Sequence, residues 1–121
     1  MLMERRKLIL EISESIDAKD AAGFSGFITE NGMFRFGNSE EVMGRKNIGE
    51  FVAGFFKMIK SSKHELVNMW DNGNSITWQG VVNYVRLDEK KVSVNFVNIL
   101  FMEGDMITDY LIYIDNTPLF A

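Results

Sequence analysis

The sequence predicts an α+β fold in which helices from the first half of the chain pack on a curved antiparallel sheet shaped like a cone. Apolar residues recur at helical spacing in the first half, and the period changes to that of strands after residues 61–62. Turn signals at residues 71–74, 88–91 and 103–105 then divide the rest into strands. Long antiparallel strands in a small domain must twist and bend, so the sheet acquires an inner and an outer face.

Three helices are predicted in the first half of the chain. The first spans residues 2–17, where apolar residues alternate with charged ones at helical spacing. The second begins after Asp20, a suitable N-cap, and the third follows Gly44. A short strand at 32–36 separates the second and third helices. The apolar stripes of the helices are, in order, Leu8, Ile9, Ile12 and Ile16; Phe24, Phe27 and Ile28; and Ile48, Phe51, Val52, Phe55 and Ile59.

Four strands complete the predicted domain, at residues 64–70, 75–87, 92–102 and 106–115. A chain of 121 residues, with 46% hydrophobic and 25% charged residues, fits one globular domain over residues 1–121. Its aromatic content is high, with 10 Phe, 3 Tyr and 2 Trp. These rings are expected to fill the core, to line a pocket, or both.

Composition argues against several classes of function. The net charge is -4 and the longest basic run is Arg5-Arg6-Lys7, so nucleic acid is not an expected partner. The absence of cysteine excludes disulfides and thiol nucleophiles, and His64 is the only histidine, so no metal site and no cofactor are predicted. There is no signal-peptide core and no apolar run of membrane-spanning length. We therefore expect a cytoplasmic protein that does not associate with membranes.

Several local patterns resemble those of SnoaL-like domains. In the first half they are Phe-Arg-Phe-Gly-Asn at 34–38 and Gly44 before the third helix. In the second half they are Val-Asn-Tyr-Val-Arg-Leu-Asp at 82–88, Phe96, Gly104-Asp105, Ile107, and Tyr-Ile-Asp-Asn-Thr-Pro-Leu at 113–119. SnoaL-like domains belong to the nuclear transport factor 2-like superfamily, with the ketosteroid isomerases, scytalone dehydratases and limonene-epoxide hydrolases. The resemblance covers nearly the whole chain. It implies a cone lined by helices and the inner sheet face, and commonly a homodimer through the outer sheet face.

The resemblance also indicates where catalytic groups of this superfamily would fall. The general base of ketosteroid isomerases falls on Phe36, their tyrosine donor on Ile12, and their protonated carboxylic acid on Val97. None of these side chains can transfer a proton or stabilise an oxyanion, so isomerisation by that machinery is not expected.

The hydrolase and dehydratase patterns are also incomplete. The acid on the last strand of epoxide hydrolases falls on Ile112. Arg86 and Asp88 have suitable side chains for the other positions, but they lie at a predicted hairpin turn and are interpreted as a solvated pair. Scytalone dehydration relies on several histidines, and this chain has only His64.

The resemblance, combined with strand alternation, predicts an aromatic, mostly apolar interior. The polar tips in it belong to Trp78, Tyr84, Asn95 and Tyr110. The apolar lining is Val82, Val97, Ile99, Phe101, Ile112 and Ile114 from the strands, and Phe24, Phe27, Phe36 and Phe55 from the helical side. Such a cavity suits a small apolar or amphipathic molecule with one or two oxygen or nitrogen functions. The predicted ligand-binding residues are Trp78, Tyr84, Asn95, Tyr110, Phe36, Phe55, Val97 and Ile112.

Other interpretations of the interior remain open. The rings can simply fill the cone as core, with Asn95 paired to Tyr84 or Tyr110. An enzyme is also possible, and its candidate acid or base residues are His64 and Asp115. Asp115 is expected on the outer face unless the strand end bends into the mouth of the cone.

The outer sheet face supports a further interpretation, a homodimer or a non-catalytic partner-binding module. Alternation along the last two strands predicts an apolar outer surface there. The predicted interface residues are Phe96, Asn98, Leu100, Leu111 and Tyr113.

Overall fold

A computed structural model describes residues 4–121 of the chain. The predicted helical residues Leu2 and Met3 lie outside the described residues. The elements are, in chain order, α1 Arg5–Asp17, α2 Ala21–Ser25, β1 Ile28–Phe36, β2 Val42–Met43, α3 Arg45–Phe56, β3 Ser61–Asp71, β4 Ser75–Val85, β5 Lys91–Glu103, β6 Met106–Ile114 and α4 Thr117–Phe120. Within this part of the chain, no helix combines the length and apolarity needed to cross a bilayer.

The strands form one six-stranded sheet in the order β2-β1-β6-β5-β4-β3. The sheet is curved and unclosed, with the helices contributed mainly by the first half of the chain, so the predicted α+β fold is confirmed. One pairing differs from the expected antiparallel sheet, because β1 runs parallel to β6, with Phe34 opposite Tyr110. Through this pairing β1, from the first half of the chain, lies beside β6, one of the two central strands of the sheet.

β1 is longer than the predicted strand. The predicted second helix included Ile28, but α2 ends at Ser25 and Ile28 pairs with Ile107 of β6. The carbonyl oxygen of Phe27 also accepts a hydrogen bond from the backbone of Ile107. A short helix weakened by glycine gives way here to a β-branched segment that completes the sheet.

Helix starts follow the local signals in the sequence. Asp20 is the N-cap of α2, and its side chain accepts a hydrogen bond of 2.9 Å from the backbone N–H of Gly23. α3 begins after Gly44, whose φ of 89° lies in the left-handed region that favours glycine. The buried residues of α3 are Ile48, Val52 and Phe56, so the helix turns its apolar side to the sheet.

The core lies between the helices and the inner face of the sheet. β4 alternates between buried and partly exposed residues, with Trp78, Val82 and Tyr84 buried as predicted. The two neighbouring hairpin registers bring Asn98 of β5 opposite Trp78 of β4, and Leu100 opposite Tyr110 of β6. These pairs show which residues of β4, β5 and β6 lie on the inner face of the sheet.

The predicted faces of β5 are wrong by one residue. The residues expected inside lie on the outer face; they are Asn95, Val97, Ile99 and Phe101. The residues expected at the outer interface are buried inside; they are Phe96, Asn98 and Leu100. A shift of one position reverses every side chain of a strand, so one error inverted the whole element. Leu111 and Tyr113 of β6 do lie on the outer face, where Tyr113 is 47% exposed.

Candidate functional site

A cavity of about 50 Å³ lies between the helices and the inner face of the sheet. Room on this scale holds a few water molecules and is far below the roughly 300–1,000 Å³ of drug-sized sites. The cone is therefore filled largely by its own rings. The aromatic residues that line the cavity are Phe24, Phe34, Phe36, Phe51, Phe55, Phe56, Tyr84, Phe96 and Tyr110.

The rings of the lining contact one another continuously from the deepest part of the cone to the surface. Deep in the cone, Tyr110 lies 5.2 Å from Phe24 and 5.5 Å from Phe34, measured between ring centroids. Nearer the surface, Phe36 and Phe55 lie 5.0 Å apart, and Phe51 is 37% exposed. The partly exposed rings on α3 identify the side on which the cavity reaches the surface.

Asn98 is a polar residue in this apolar lining. It is 4% exposed, and its Nδ2 donates a hydrogen bond of 3.3 Å to the hydroxyl of Tyr110. Its Oδ1 is buried and has no hydrogen-bond partner among residues 4–121. A buried amide oxygen without a donor is costly, since it has lost water and gained nothing in return.

The two buried tyrosines are hydrogen-bond donors at neutral pH. Complete burial raises the pKa of Tyr110 well above its usual value. Burial also raises the pKa of Tyr84 to about 12, and the charge of Asp17 adds to this effect. Both phenols therefore keep their protons, and Tyr110, which accepts from Asn98, still has its own O–H to donate.

His64 lies in the cavity wall and is paired with Asp17, the last residue of α1. The Nδ1 of His64 lies 2.6 Å from Oδ1 of Asp17, and the backbone N–H of His64 donates to Oδ2 at 2.9 Å. The hydroxyl of Ser62 donates to Oδ1 at 2.9 Å. This pair joins the end of α1 to the start of β3.

The environment of Asp17 keeps its carboxyl group ionised. Burial raises the pKa of Asp17, but the hydrogen bonds and charge interaction with His64, and the hydrogen bond from Ser62, outweigh it, so the pKa lies below its usual value. A carboxylate only accepts hydrogen bonds, so the imidazole must carry a proton on Nδ1. In the neutral ring the lone pair is then on Nε2, which has no hydrogen bond within residues 4–121.

The predicted ligand-binding residues are divided between two locations. Those that line the cavity are Tyr84, Tyr110, Phe36, Phe55 and Ile112. Trp78 is fully buried but does not line it, and its ring lies 5.2 Å from that of Phe96. Asn95 and Val97 lie on the outer face, so their predicted place in the lining is wrong. The predicted pairing of an amide with Tyr110 exists, but Asn98 makes it.

The other residues predicted to line the cone also differ in position. Val82, Ile114 and Phe24 line the cavity, whereas Phe27 does not. Of the positions inferred from the resemblance, Phe36 and Ile112 line the cavity and Ile12 is fully buried behind it. Val97 points away from the cavity, and its neighbour Asn98 is the residue that lines it.

The other catalytic candidates lie outside the cavity. Asp115 is exposed, and its Oδ1 accepts a hydrogen bond of 3.0 Å from the backbone N–H of Thr117, the first residue of α4. Hydrogen bonds from Thr117 lower the pKa of Asp115. Arg86 and Asp88 form an ion pair of 3.0 Å at the β4–β5 turn, where the sequence predicted a solvated pair. No cluster of three or more potential metal ligands occurs in the described part of the chain.

Sequence reasoning missed Asp17 and Asn98 as members of the site. Asp17 is 47 positions from His64, and no local spacing connects them. Asn98 was identifiable from the β4–β5 hairpin, because Val85 pairs with Lys91 and that register turns the even-numbered residues of β5 inward with Tyr84. Phe34 and Phe51 also line the cavity.

Residues 9–110 match the family model of the SnoaL-like domain. The chain belongs to the SnoaL-like family. No curated protein matches this SnoaL-like chain significantly.

Solved structures share the fold of this SnoaL-like domain at low sequence identity. A protein with a ketosteroid isomerase-like fold from Catenulispora acidiphila, in complex with trimethylamine, is 15% identical with TM-score 0.82, covering 88% of this chain and 84% of that chain. A nuclear transport factor 2-like protein of unknown function from Burkholderia pseudomallei is 12% identical with TM-score 0.84, covering 94% and 92% of the two chains. TerC, co-crystallised with polyporic acid, is 15% identical with TM-score 0.81, covering 95% and 94%. At these identities the likeness extends to the fold alone.

Proposed function

We propose that this SnoaL-like domain binds a small, mostly apolar molecule in the aromatic cavity. The observation that carries the proposal is the buried, unpartnered Oδ1 of Asn98 in the cavity wall. A purely structural core would favour an apolar side chain at this position, because an unsatisfied buried amide oxygen costs free energy. A bound molecule that donates a hydrogen bond to Oδ1 removes that cost.

The lining defines the chemistry of the ligand. It presents the acceptor Oδ1 of Asn98 and the protonated hydroxyl of Tyr110 within an otherwise aromatic surface. A compact molecule with one hydroxyl function matches both groups, because a hydroxyl can donate to Oδ1 of Asn98 and accept from Tyr110. The volume of about 50 Å³ is below the roughly 150 Å³ of a cavity that binds benzene, so a ligand of about six heavy atoms must displace the partly exposed rings of Phe51 and Phe55.

The solved relatives support small-molecule binding as a use of this fold. One was crystallised in complex with trimethylamine and another with polyporic acid. Neither compound is assigned to this chain. The cytoplasmic location stays a prediction from the sequence.

Titration with cyclopentanol tests the proposal, with cyclopentane as the control that has the same ring but no hydroxyl. NMR shifts of cavity residues report binding of both. We expect Asn98→Leu to weaken cyclopentanol binding about tenfold, the equivalent of one hydrogen bond, and to leave cyclopentane binding unchanged or improved. The fold is expected to be retained, because leucine is of similar size and removes the unpartnered Oδ1 together with the one hydrogen bond from Nδ2 to Tyr110.

Asn95→Leu is the matched control, since it makes the same change on the outer face of the same strand. It should leave cyclopentanol binding as in the wild-type protein. If Asn98→Leu and Asn95→Leu bind cyclopentanol equally well, Asn98 has no role in recognition and the proposal loses its support.

We also propose that the domain forms a homodimer through the outer face of the sheet. This face carries exposed apolar residues, including Trp70 at 50% and Tyr113 at 47% exposure, beside the less exposed Val97, Ile99 and Leu111. The helices cover the opposite face, and no element of residues 4–121 covers the outer one. These residues form a contiguous apolar patch rather than scattered single residues, and such patches commonly mark interfaces. A second copy of the chain would bury the patch.

A further inference from the structure

We propose that Trp78, Asn98 and Tyr110 together form a binding site for the hydroxyl group of an alcohol, with Trp78 as a second hydrogen-bond donor to its oxygen. The inference rests on the proposed function and deepens it, because it concerns the same cavity and names alcohols as the class of its ligand. It also adds Trp78 to the residues that recognise the ligand.

Trp78 carries a donor that the fold leaves without an acceptor. The side chain is fully buried, and its Nε1 has no hydrogen-bond partner among residues 4–121. The rings beside the indole belong to Phe96, at 5.2 Å, and His64, at 6.1 Å between centroids, and neither accepts from Nε1. The N–H of a buried tryptophan usually has a partner, and leaving it without one costs free energy.

This unpartnered donor and the unpartnered acceptor of Asn98 lie on facing residues. Trp78 of β4 is paired with Asn98 of β5 in the antiparallel ladder, and both side chains are buried on the inner face of the sheet. Residues directly opposite each other have Cβ atoms about 5 Å apart. Nε1 of Trp78 and Oδ1 of Asn98 nevertheless do not bond to each other. One group that accepts from the indole and donates to the amide would complete both.

Tyr110 adds a second donor from the next strand. It is fully buried in β6, and its hydroxyl oxygen accepts a hydrogen bond of 3.3 Å from Nδ2 of Asn98. Its own O–H therefore remains to be donated. The neighbouring strands β4, β5 and β6 thus supply two donors, from Trp78 and Tyr110, and one acceptor, from Asn98.

Two donors and one acceptor match the hydroxyl of an alcohol. Its oxygen has one hydrogen to donate and two lone pairs with which to accept, so it can donate to Asn98 and accept from Trp78 and Tyr110. A ketone or an ether only accepts and leaves Oδ1 of Asn98 without a partner, whereas an ammonium group only donates and leaves both donors without one. A ligand that leaves a buried polar group unpaired is strongly disfavoured.

The indole is placed to contact the oxygen of the ligand and not its hydrocarbon body. Asn98 and Tyr110 line the open part of the cavity, whereas Trp78 does not. The hydrocarbon body would therefore lie among the phenylalanine rings of the lining, with the hydroxyl directed towards β4 and β5.

A purely structural role for Trp78 predicts different results. If its Nε1 stays without a partner, or bonds to an internal water that remains in place when a ligand binds, then binding does not depend on this group. The test must therefore separate the contribution of the ligand's hydroxyl from that of its hydrocarbon ring.

NMR titration of the wild-type protein and Trp78→Phe with cyclopentanol, cyclopentanone and cyclopentane provides the first measurement. We expect the wild-type protein to bind cyclopentanol more tightly than cyclopentanone, because only the alcohol can donate to Asn98. Trp78→Phe should lower the ratio of cyclopentanol affinity to cyclopentane affinity about fivefold, the equivalent of one hydrogen bond. The ratio is the quantity compared, because the space left by the smaller phenylalanine affects both ligands. Trp70→Phe is the matched control, since Trp70 is 50% exposed and does not line the cavity, and it should keep the wild-type ratio.

The indole N–H signals of the wild-type protein provide a second measurement, which does not require Trp78→Phe to fold. The chain has 2 Trp, so the signal that remains in Trp70→Phe belongs to Trp78. We expect cyclopentanol to move the Trp78 signal downfield of its position with cyclopentane, as its N–H becomes hydrogen-bonded, and to leave the Trp70 signal in place.

Three results would overturn the inference: an unchanged affinity ratio in Trp78→Phe, the same Trp78 signal with cyclopentanol and cyclopentane, or cyclopentanone binding as tight as that of cyclopentanol. The proposed function still stands in these cases if Asn98→Leu weakens cyclopentanol binding. A wild-type protein that binds no cyclopentanol overturns both.

Discussion

Asp17 and Asn98 are both polar groups beside the apolar interior, but their hydrogen bonding differs. The carboxylate of Asp17 accepts hydrogen bonds from Ser62 and His64. The amide of Asn98 uses its nitrogen and leaves its oxygen without a partner among the described residues. A buried group with all its hydrogen bonds stabilises one arrangement of the chain. A buried group that lacks a hydrogen bond favours binding of a molecule that supplies the missing one.

Asp17 is expected to make stability depend on pH in the acid range. Its pKa is lowered in the folded protein, so its stabilising effect is present above the unfolded value near 3.8 and is lost as the pH falls through the folded pKa. We predict that Asp17→Asn lowers the free energy of unfolding at pH 7 by about 2 kcal/mol, the scale of hydrogen bonds to a charged group. The difference from wild type should shrink below pH 3.8, as measured by urea denaturation across pH.

Glu65→Gln is the control for this measurement, because Glu65 is an exposed carboxylate of the same strand, β3. It should change stability by less than about 0.5 kcal/mol. Equal effects of the two substitutions at every pH would show that the pairing of Asp17 with His64 does not contribute to stability.

At the scale of elements, β4 and β5 show how far the sequence alone could go. Alternation placed Trp78, Val82 and Tyr84 of β4 correctly, since its opposite face is less apolar. Along β5 both faces carry apolar residues, such as Leu100 inside and Ile99 outside, so alternation does not distinguish them. The register of the β4–β5 turn does distinguish the two faces. The resemblance to the family placed the residues of β5 one position away from that register, which exchanged the faces.

Pairings between distant parts of the chain could not be predicted from the sequence. The parallel pairing of β1 with β6 joins Phe34 to Tyr110, and no pattern within either strand indicates that partner. The same holds for Asp17 and His64, which come together only because α1 ends against β3. The aromatic interior was predictable from residue type and period, whereas its polar groups depended on pairings across the fold.

Gly80 provides a prediction about β4 and β5. A Cβ at this position would overlap the backbone carbonyl oxygen of Glu65 and lie 2.5 Å from Cζ of Phe96, whose ring crosses over the glycine. Backbone cannot move away cheaply, so we expect Gly80→Ala to lower the free energy of unfolding by about 2 kcal/mol. Chemical denaturation followed by circular dichroism measures the change.

Gly54→Ala in α3 is the matched control, because no atom lies within 4 Å of a Cβ there. Alanine lowers the backbone entropy of the unfolded chain and favours helix, so we expect stability to rise by about 0.5 kcal/mol. If Gly80→Ala is as stable as Gly54→Ala, then the ring of Phe96 does not lie as close to Gly80 as the structure places it.

Across the described part of the molecule, residues 4–121, the helices cover one face of the sheet and leave the other open. The proposed dimer buries that open face, and Tyr113 is near its middle, paired with Val97 of β5 and hydrogen-bonded through its hydroxyl to Arg35. We predict that Tyr113→Glu yields a folded monomer, because it places a charge within an apolar contact. Sedimentation velocity gives the mass and circular dichroism the fold.

Met58→Glu is the control for the dimer prediction, since Met58 is 51% exposed and lies just past α3, on the helical side of the molecule. It should sediment like the wild-type protein. A wild-type protein that sediments as a monomer would contradict the proposed dimer, and a Tyr113→Glu dimer would contradict the choice of face.

We propose that the cone is a binding site and not only a packed core. A crystal structure of the protein grown with cyclopentanol tests this proposal. We predict density for the alcohol among the rings, with its oxygen within about 3.2 Å of Oδ1 of Asn98. An interior closed by the rings of Phe36, Phe51 and Phe55, with no alcohol beside Asn98, would contradict the claim.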